Sequence, residues 1–342
     1  MTSFKKSELL SKFNLIKSGA SKNSPMQILK MLKITVDNNE FTITTGNGEM
    51  QLSASGQCNG DSFDECVSLQ TFGVMLSAAK SDIDIKVKDG KLNTVSGKSK
   101  FSMPCQGGES YPTLKLDGDV TTGNLKDIIS GVHKAAPRVD VRPMLVGVCL
   151  DAKDGVLSAA GTDGHVLFIN QIDTDKTDFQ IIIPIRAAEY LANTDTDGYL
   201  VSGTSLKAVS LADNLQIITR LIDARYVDFR RIISDYEFNC EVDVSELSEA
   251  ITTISKIENV ISAHLKSSKN SLSVSTKDGN GMTVVSEIAY SGDDIDFSYS
   301  PTNLLKCLNF LGNDVNKLSF NDNGWMQSRN VSGKFFLAPM RE

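Results

Sequence analysis

The chain has 342 residues, of which 40% are hydrophobic and 23% charged, and its formal net charge at pH 7 is −7. This length predicts two or three domains, because a single hydrophobic core stops growing at about 250–300 residues. The acidic balance argues against a protein that coats nucleic acid over its whole surface. The sequence has no apolar run of the roughly 18 residues that a membrane span needs. Its first residues also lack the apolar core of a signal peptide, so a cytoplasmic protein is expected.

Cysteine and histidine usage argues against a metal or redox site. The six cysteines stand singly, without a CxxC pair, and the three histidines lie far apart. Because structural metal sites need closely spaced ligands, the sequence predicts no metal and no cofactor. The cysteines are expected to be small buried hydrophobic residues in a reducing compartment. They are Cys58, Cys66, Cys105, Cys149, Cys240 and Cys307, and the histidines are His133, His165 and His264.

The first third of the chain predicts two helices and two β-hairpins. Apolar residues spaced three and four apart indicate helices at 7–17 and 69–79, although Lys17 falls near the apolar edge of the first. The segment 30–52 turns at Asn38-Asn39, and Asn tolerates the positive φ of a two-residue hairpin turn. A second hairpin at 82–97 precedes the closing strand SKFSMP. Lysines are concentrated near the N-terminus, which fits either a DNA-facing surface or an ordinary solvated helix.

The middle third repeats this order of elements. An apolar stripe predicts a helix at 124–134, and a second helix is predicted at 185–193. Between them, the segment 144–168 reads as a hairpin that turns at Asp154-Gly155. A second hairpin at 198–213 precedes the closing strand QIITRL.

The last third shows the order once more. Helices are predicted at 245–257 and 302–311, and the segment 260–284 reads as a hairpin that turns at Lys269-Asn270. A second hairpin at 315–333 precedes the closing strand KFFLAP. The repeat has a period of about 115 residues, which is the size of a domain rather than of a solenoid unit. The sequence therefore predicts three similar α+β domains, each with two helices packed on β-hairpins.

Catalytic motifs are weak. Gly90 and Gly97-Lys98-Ser99 do not have the spacing of a phosphate-binding loop. Asp163 and His165, with Ser158 nearby, leave a hydrolase open as an alternative, but no nucleophile-elbow sequence accompanies them. The only tryptophan, Trp325, lies in a predicted turn, where a hairpin-packing role is favoured over base stacking. The chain lacks the motifs that read bases, so any DNA contact is expected to be independent of sequence.

Five segments resemble those of the bacterial DNA polymerase III beta-subunit clamps. Gly161–Leu167 (GTDGHVL) is similar to the family's TDGHRL motif, and Leu221–Ile232 (LIDARYVDFRRI) resembles its G-x-F/Y-P-D-Y-R-R-V/I segment. Leu337–Glu342 (LAPMRE) resembles its terminal MPMRL. Asp140–Leu145 (DVRPML) and Glu109–Leu114 (ESYPTL) are further matches. The resemblance covers the whole chain.

The resemblance implies a three-domain DNA clamp, with domains at 1–118, 119–238 and 239–342. In this family two subunits join head to tail into a ring, helices line the hole, and sheets form the outside. It implies a processivity factor without enzymatic activity that encircles double-stranded DNA and is associated with the nucleoid in the cytoplasm. The implied partners are a DNA polymerase, a clamp loader ATPase, other proteins with a clamp-binding motif, and a second copy of the chain; no membrane partner is expected.

The basic residues at predicted helix faces and nearby turns are candidates for the DNA-facing surface, because phosphate contacts need positive charge but no sequence readout. For each of them an ordinary solvated surface residue is the alternative. The candidates are Lys12, Lys17, Lys22, Lys126, Lys134, Arg138 and Arg142. The first helix of the last third is poor in positive charge, and the sequence offers no account of this.

The resemblance also implies a hydrophobic cleft between domains two and three that binds short linear peptides. Its apolar members fit the recognition of leucine and phenylalanine side chains, although core packing explains several of them as well. Carried over residue by residue, the cleft comprises Leu145, Thr162, Gly164, His165, Val166, Leu167, Val227, Arg231, Ile232, Phe336, Leu337, Ala338, Pro339, Met340 and Arg341.

Three residues depart from the family pattern at this cleft. Val166 stands where the family has arginine, Val227 where it has proline, and Glu342 where it ends in leucine. The added negative charge predicts a preference for peptides other than the usual Gln-Leu-x-Leu-Phe type. The alternatives to a clamp are a β-rich scaffold of the same fold without ring closure and a hydrolase that uses Asp163 and His165.

Overall fold

The computed structural model describes residues 1–21, 24–175, 178–233, 240–277, 283–312, 317–329 and 333–340. Three residues assigned to the sites, Lys22, Arg341 and Glu342, lie outside these ranges. Within them the chain runs three times through one order: a short strand, a helix, four strands, a second helix and three strands. The threefold repeat of two helices on hairpins is confirmed.

The first repeat has two α-helices and eight strands. Short 3-10 helices at Gln27–Lys30 and Gly108–Ser110 flank its sheet strands. Its elements are β1 (Thr2–Phe4), α1 (Lys6–Ile16), β2 (Met31–Asp37), β3 (Glu40–Gly46), β4 (Met50–Asn59), β5 (Phe63–Ser68), α2 (Leu69–Ala78), β6 (Ile83–Lys88), β7 (Lys91–Ser96) and β8 (Ser99–Gly107).

The second repeat has the same elements. Its 3-10 helices are Val132–Lys134, Pro143–Leu145 and Phe229–Arg231. Its other elements are β9 (Thr121–Thr122), α3 (Leu125–Ile129), β10 (Gly147–Lys153), β11 (Val156–Thr162), β12 (Val166–Asp173), β13 (Phe179–Pro184), α4 (Ile185–Leu191), β14 (Gly198–Ser202), β15 (Ser205–Ser210) and β16 (Leu215–Arg220).

The third repeat follows the same plan. Its elements are β17 (Cys240–Val242), α5 (Val244–Ser255), β18 (Ala263–Ser268), β19 (Ser271–Lys277), β20 (Thr283–Gly292), β21 (Asp296–Tyr299), α6 (Pro301–Leu311), β22 (Lys317–Phe320), β23 (Met326–Arg329) and β24 (Gly333–Leu337). No helix of the described residues is long and apolar enough to span a membrane.

The hairpin turns lie where the sequence predicts them. Asn38 and Asn39 have φ of 48° and 64°, Asp154 has φ of 52°, and Lys269 has φ of 52°. Each turn joins two antiparallel strands in register, as in the pairing of Asp37 with Glu40. These left-handed conformations match the twist of the flanking strands, which is why Asn, Asp and Gly are favoured there.

The predicted helix 124–134 is wrong in its length. The α-helix ends at Ile129, Gly131 has φ of 79°, and a 3-10 helix follows. A Cβ on Gly131 would lie 2.9 Å from the ring of Phe310, so only glycine fits this break. The side-chain amide of Asn170 donates to the carbonyl oxygens of Ile128 and Ser130, which satisfies two helix-end acceptors.

The described residues form two compact units. One comprises residues 1–125 and 194–221, and the other comprises 126–193 and 222–342, so the middle repeat contributes to both. Each unit has one twelve-stranded sheet. The predicted domain boundaries at 118 and 238 remain a prediction.

In each unit the sheet continues from one repeat into the next through one pair of strands. In the first unit β4 pairs with β16, and Leu215 lies opposite Ala54. In the second unit β12 pairs with β24, and Gly333 lies opposite Asn170. Both junctions join the third strand of a repeat's four-strand run to the last strand of the next repeat, at equivalent residues.

Candidate functional site

The predicted TDGH motif forms a rigid turn before β12. The Asp163 carboxylate accepts hydrogen bonds from the backbone N–H groups of His165 and Val166 at 2.8 and 2.9 Å. The Thr162 hydroxyl donates to the Val166 carbonyl and accepts from the Gly164 N–H. Because these groups fix the turn, Gly164 and His165 are held exposed at its tip.

Arg142 also supports this turn. Its guanidinium pairs with Asp140, at 2.9 Å between Nε and Oδ1, and donates to the Asp163 carbonyl at 3.1 Å. The hydrogen bonds from Arg142 lower the pKa of the Asp140 carboxyl to about 2. Arg142 was expected on the DNA-facing surface. It makes these hydrogen bonds within the loop while its side chain stays 51% exposed, so that expectation remains a prediction.

The segment 226–232 packs over β10 and β11. Tyr226 and Phe229 are buried, and the Tyr226 hydroxyl donates to the Ala160 carbonyl at 3.2 Å. Arg230 donates to the Asp151 carboxylate, which also accepts from Gln180 Nε2 at 3.0 Å. These contacts fix the segment through Tyr226, Phe229 and Arg230. The side chains of Val227, Arg231 and Ile232 are exposed.

Most of the predicted apolar cleft residues lie in the core. Leu167 and Phe336 belong to a buried cluster beneath the segment 226–232, and Leu145, Val166 and Leu337 are also buried. Thr162 is 8% exposed. Core packing, the alternative that the sequence left open, therefore describes these residues in the peptide-free chain. The full cluster is Cys149, Ala160, Leu167, Ile169, Ile182, Tyr226, Phe229 and Phe336, with Met144, Ile222, Ile233 and Trp325 packed half-buried against it.

The C-terminal segment is fastened beside the turn. The Ala338 N–H donates to the His165 carbonyl at 2.9 Å, and the Met340 N–H donates to the Ser298 carbonyl at 2.7 Å. Ala338, Pro339 and Met340 are half-buried. The structure therefore brings together the described members of the predicted cleft, as a rim of exposed side chains around a filled floor.

In the first unit, the described DNA-facing candidates are on and just after α1. Lys12 is only 9% exposed, and its ammonium donates to the Asp213 carbonyl. It occupies the apolar stripe of α1, at the position that Ile128 holds in α3, so the expectation that it faces DNA is corrected. Lys17 is exposed and donates to Asn14 at 2.8 Å.

In the second unit, Lys126 and Lys134 line one polar concave surface with Ser130 and Asn170. Lys126 is half-buried and Lys134 is exposed. Arg138 is exposed and forms an ion pair with Glu189 at 2.9 Å. Lys126 and Lys134 thus share a surface on the side of the sheet that carries α3 and α6.

The residues that the sequence left open for hydrolysis take part in structural hydrogen bonds. Asp163 is used within its own turn, and the Ser158 hydroxyl is buried and accepts from Gln171 at 3.1 Å. No group of three or more metal-binding side chains occurs among the described residues. Burial raises the pKa of the Cys66 thiol to about 12 and that of Cys105 to about 11.

Sequence reasoning missed several contributors to this site. Met144 and Ile233 are next to the predicted cleft residues Leu145 and Ile232. The spacing of apolar residues in the sequence could not show that both would lie half-buried on the same cluster. Asp151 and Arg230 are 79 residues apart, and no sequence pattern links them. Trp325 was singled out only as a turn aromatic, although its uniqueness in the chain was visible.

Known proteins share this fold over the whole chain. The chain is similar to a crystal structure of the DNA polymerase III beta subunit from Pseudomonas aeruginosa, with a TM-score of 0.90, 19% identity and 100% coverage of both chains. It is also similar to a Helicobacter pylori beta clamp bound to a DNA ligase peptide, with a TM-score of 0.87, 16% identity, and coverage of 100% of both chains. The architecture is therefore that of the DNA sliding clamps.

The sequence comparisons narrow this class to one family. Residues 119–228 match the family model described as the DNA polymerase III beta subunit, central domain. The beta sliding clamp of Chlamydia pneumoniae is 25% identical over 362 residues, which cover 98% of this chain and 97% of that protein. The central-domain match and these relatives support a divergent member of the bacterial DNA polymerase III beta-subunit family.

Proposed function

We propose that the chain is a DNA sliding clamp: a ring-forming homodimer, with domain boundaries near residues 118 and 238, that encircles double-stranded DNA and tethers a polymerase. A clamp loader ATPase would place it on DNA in the cytoplasm, at the nucleoid, and the chain itself would catalyse nothing. The single observation that carries the proposal is the identical construction of the two junctions between repeats.

Each junction pairs the third strand of one repeat's four-strand run with the last strand of the following repeat. Among the described residues the first kind of strand is β4, β12 and β20, and the second kind is β8, β16 and β24. Two pairs, β4 with β16 and β12 with β24, are made within the chain. The remaining strands are β20 and β8. Among the described strands, β20 pairs with β19 and, at its end, with β17, while β8 pairs with β7 and, at its end, with β5. Each therefore keeps a stretch of edge that its equivalents use for the junction.

The register of the two junctions predicts that of a third, between copies. Ala54 and Asn170 are equivalent to Ser286, since each lies opposite the fourth residue of the strand that precedes it in the hairpin, which is β3, β11 or β19. Leu215 and Gly333 are equivalent to Ser99 at the start of β8. Ser99 of one copy is thus expected opposite Ser286 of a second copy. Because the contact joins different strands of the two copies, it is heterologous, and two such contacts close a ring.

Paired cysteines test this register. We expect the double variant Ser99→Cys, Ser286→Cys to form a reducible covalent dimer of about twice 37.1 kDa. Neighbouring strands bring facing Cβ atoms within disulfide range. Ser102→Cys with Ser286→Cys, displaced by three residues, serves as the control and should stay monomeric on a denaturing gel. The raised thiol pKa values of Cys66 and Cys105 limit background reaction near pH 8.

The cross-linked ring also tests encirclement. It should remain on circular duplex DNA at high salt and leave the same DNA once the circle is cut. Dimers that form in the control register, or a cross-linked ring that dissociates from intact circles, would contradict the proposal. Sedimentation of the unmodified chain as a monomer at micromolar concentration would favour the alternative scaffold without ring closure.

Lys17, Lys126 and Lys134 are the proposed DNA contacts. Arg138 and Arg142 are further candidates when they leave Glu189 and Asp140. We expect Lys126→Glu with Lys134→Glu to weaken DNA association on the order of tenfold and to make that association less dependent on salt concentration, because fewer phosphate contacts release fewer counterions. The control is Lys153→Glu with Lys269→Glu, the same charge change at exposed hairpin turns. Equal loss in both variants would contradict the placement of the surface.

The peptide-binding role is proposed for the rim that surrounds the turn 162–166. It would comprise Gly164, His165, Val227, Arg231 and Ile232, with Ala338, Pro339 and Met340 beside them, over the filled floor of Leu167 and Phe336. The other buried members of the predicted cleft, which are Leu145, Thr162, Val166 and Leu337, belong to the surrounding core. The Helicobacter pylori clamp, which shares the fold, holds a DNA ligase peptide, and this supports partners with a short clamp-binding motif for the present chain.

A further inference from the structure

The only tryptophan of the chain lies over the floor of the proposed cleft. Trp325 precedes β23 and packs, half-buried, on the cluster that contains Leu167 and Phe336. Met144 and Ile233 are half-buried against the same cluster. Leu167 and Phe336 are only 2% and 3% exposed, so the accessible apolar surface of this cluster includes these half-buried side chains.

The backbone of Trp325 is held in place. Asn321 Oδ1 accepts from the Trp325 N–H at 2.8 Å, and the Asn321 N–H donates to the Trp325 carbonyl at 3.1 Å. The Gly324 carbonyl accepts from the buried Tyr299 hydroxyl at 2.6 Å. Gly324 has φ of 76°, which the turn requires. The backbone that carries the indole is therefore fixed on both sides of Trp325.

Trp325 lies on the opposite side of the second unit's sheet from Lys126 and Lys134. Neighbouring residues of a strand point to opposite faces. Phe168, next to Leu167, stacks on Phe310 of α6 with ring centroids 4.3 Å apart, whereas Leu167 belongs to the Trp325 cluster. Phe310 lines the concave surface that Lys126 and Lys134 share. This arrangement removes the base-stacking role that the sequence left open for Trp325.

We propose that the Trp325 indole is the principal apolar contact for partner peptides and a specificity-determining residue of the cleft. The proposal rests on the proposed function. Its occupant is a short linear peptide that places a leucine or phenylalanine side chain on the indole. A rigid aromatic residue binds at low entropic cost, and tryptophan is enriched among residues that dominate interface energy. The cleft is expected to be selective because its floor is filled. A peptide side chain would therefore meet the flat face of the indole instead of entering an open pocket.

The test uses two readouts on the full chain. Binding of a fluorescein-labelled Gln-Leu-Ser-Leu-Phe peptide is followed by anisotropy, and binding of the unlabelled peptide is followed by tryptophan emission, which reports Trp325 alone. We expect Trp325→Ala to weaken binding at least tenfold and Trp325→Phe to stay within about threefold of the parent chain. Ile261→Ala, which truncates an exposed apolar residue elsewhere in the third repeat, is the matched control and should bind normally. Saturating peptide should shift the emission of the parent chain.

The outcomes separate this inference from the proposed function. Unchanged affinity of Trp325→Ala, or tighter binding because the indole blocks the floor, overturns the inference and leaves the clamp intact. Because the sequence predicts a preference for other motifs, the peptide is used at concentrations high enough to detect weak binding. Failure of the parent chain to bind it even there overturns the inference together with the peptide-binding role, while retention on circular DNA is judged separately. Retained thermal stability of Trp325→Phe, with its near-normal binding, guards against loss of folding as the cause.

Discussion

The two junctions between repeats have the same register but differ on the face that the following segment covers. Gln51 on β4 and Leu167 on β12 are equivalent, since they lie opposite Ile218 and Phe336. Gln51 is 7% exposed, and its side-chain amide accepts from the Leu114 N–H at 2.7 Å and donates to the Leu114 carbonyl at 3.4 Å. Two hydrogen bonds between the Gln51 side chain and the Leu114 backbone thus hold the covering segment at the first junction. At the second junction the equivalent residue, Leu167, makes apolar contacts instead.

The covering segments differ in the same sense. Tyr111 and Tyr226 are both buried tyrosines of equivalent segments, but only Tyr226 makes a described hydroxyl hydrogen bond of good geometry, to Ala160. The second segment has the additional ion pair of Arg230 with Asp151. One fold therefore fixes the first segment through hydrogen bonds between the Gln51 side chain and the Leu114 backbone, and the second through the side chains of Tyr226 and Arg230.

Exchange of the two equivalent residues is expected to have the largest effect. Leu167→Gln should lower the free energy of unfolding by about 3 kcal/mol, because it buries an amide without a partner and removes apolar contact. Gln51→Leu should cost about 1–2 kcal/mol, mainly through the unsatisfied Leu114 N–H. Urea unfolding measures both. If Leu167→Gln is the milder change, the second junction must offer a hydrogen-bond partner to a glutamine at position 167.

Loss of the ion pair that only the second segment has should come next. Arg230→Met leaves the buried Asp151 carboxylate with Gln180 alone, so we expect a loss of about 2 kcal/mol, below the value for a fully buried pair because Arg230 is 37% exposed. Adding Asp151→Leu should recover most of this loss. Peptide affinity should fall in the single variant, since the segment that bears Val227 and Ile232 loosens. Normal stability of Arg230→Met would mean that Phe229 and Tyr226 suffice.

The two tyrosines make a smaller, paired test. Tyr226→Phe should cost about 1 kcal/mol, because the Ala160 carbonyl loses its donor. Tyr111→Phe should be neutral, as its hydroxyl forms no well-aligned hydrogen bond with a described residue. Equal losses in thermal unfolding would show that the two segments are fastened alike.

The smallest effect is expected in the turns before β4 and β12. The Asn47 and Asp163 side chains are equivalent, and each accepts hydrogen bonds from two backbone N–H groups of its own turn. Asp163→Asn should therefore change the free energy of unfolding by less than about 0.5 kcal/mol. Asp163→Ala, the comparison, should cost about 1 kcal/mol. A large loss in Asp163→Asn would give its charge, near Lys306, a structural role.

Periodicity and turn chemistry were enough to predict the threefold order of elements. Turn residues such as Asn38 and Asp154 impose their geometry locally, and the apolar stripes of α1, α2, α5 and α6 identify the buried faces. The break in the helix at 124–134 was not predictable, because it depends on Phe310, a residue about 180 positions away that leaves room only for Gly131.

The candidate site was predicted less completely, for a reason of the same kind. Motif resemblance located the turn at 162–166 and the segment 226–232, but exposure is a tertiary property. It separated buried Leu167 from exposed Ile232 and removed Lys12 from the DNA-facing set. A lysine on an apolar stripe can bury its stem and still satisfy its ammonium, as Lys12 does at Asp213. Sequence alone could not find that distant acceptor.

The unpaired stretches of β8 and β20 also affect how readily a single copy of the chain aggregates before it dimerises. A bare strand edge is a template for any other extended polypeptide, and proteins commonly protect such edges with charge. β8 has exposed Lys100 on this stretch, next to Lys98 in the preceding turn. Opening of one contact in a closed ring would expose both of these edges at once. A short open time would therefore limit aggregation while still allowing the ring to exchange on DNA.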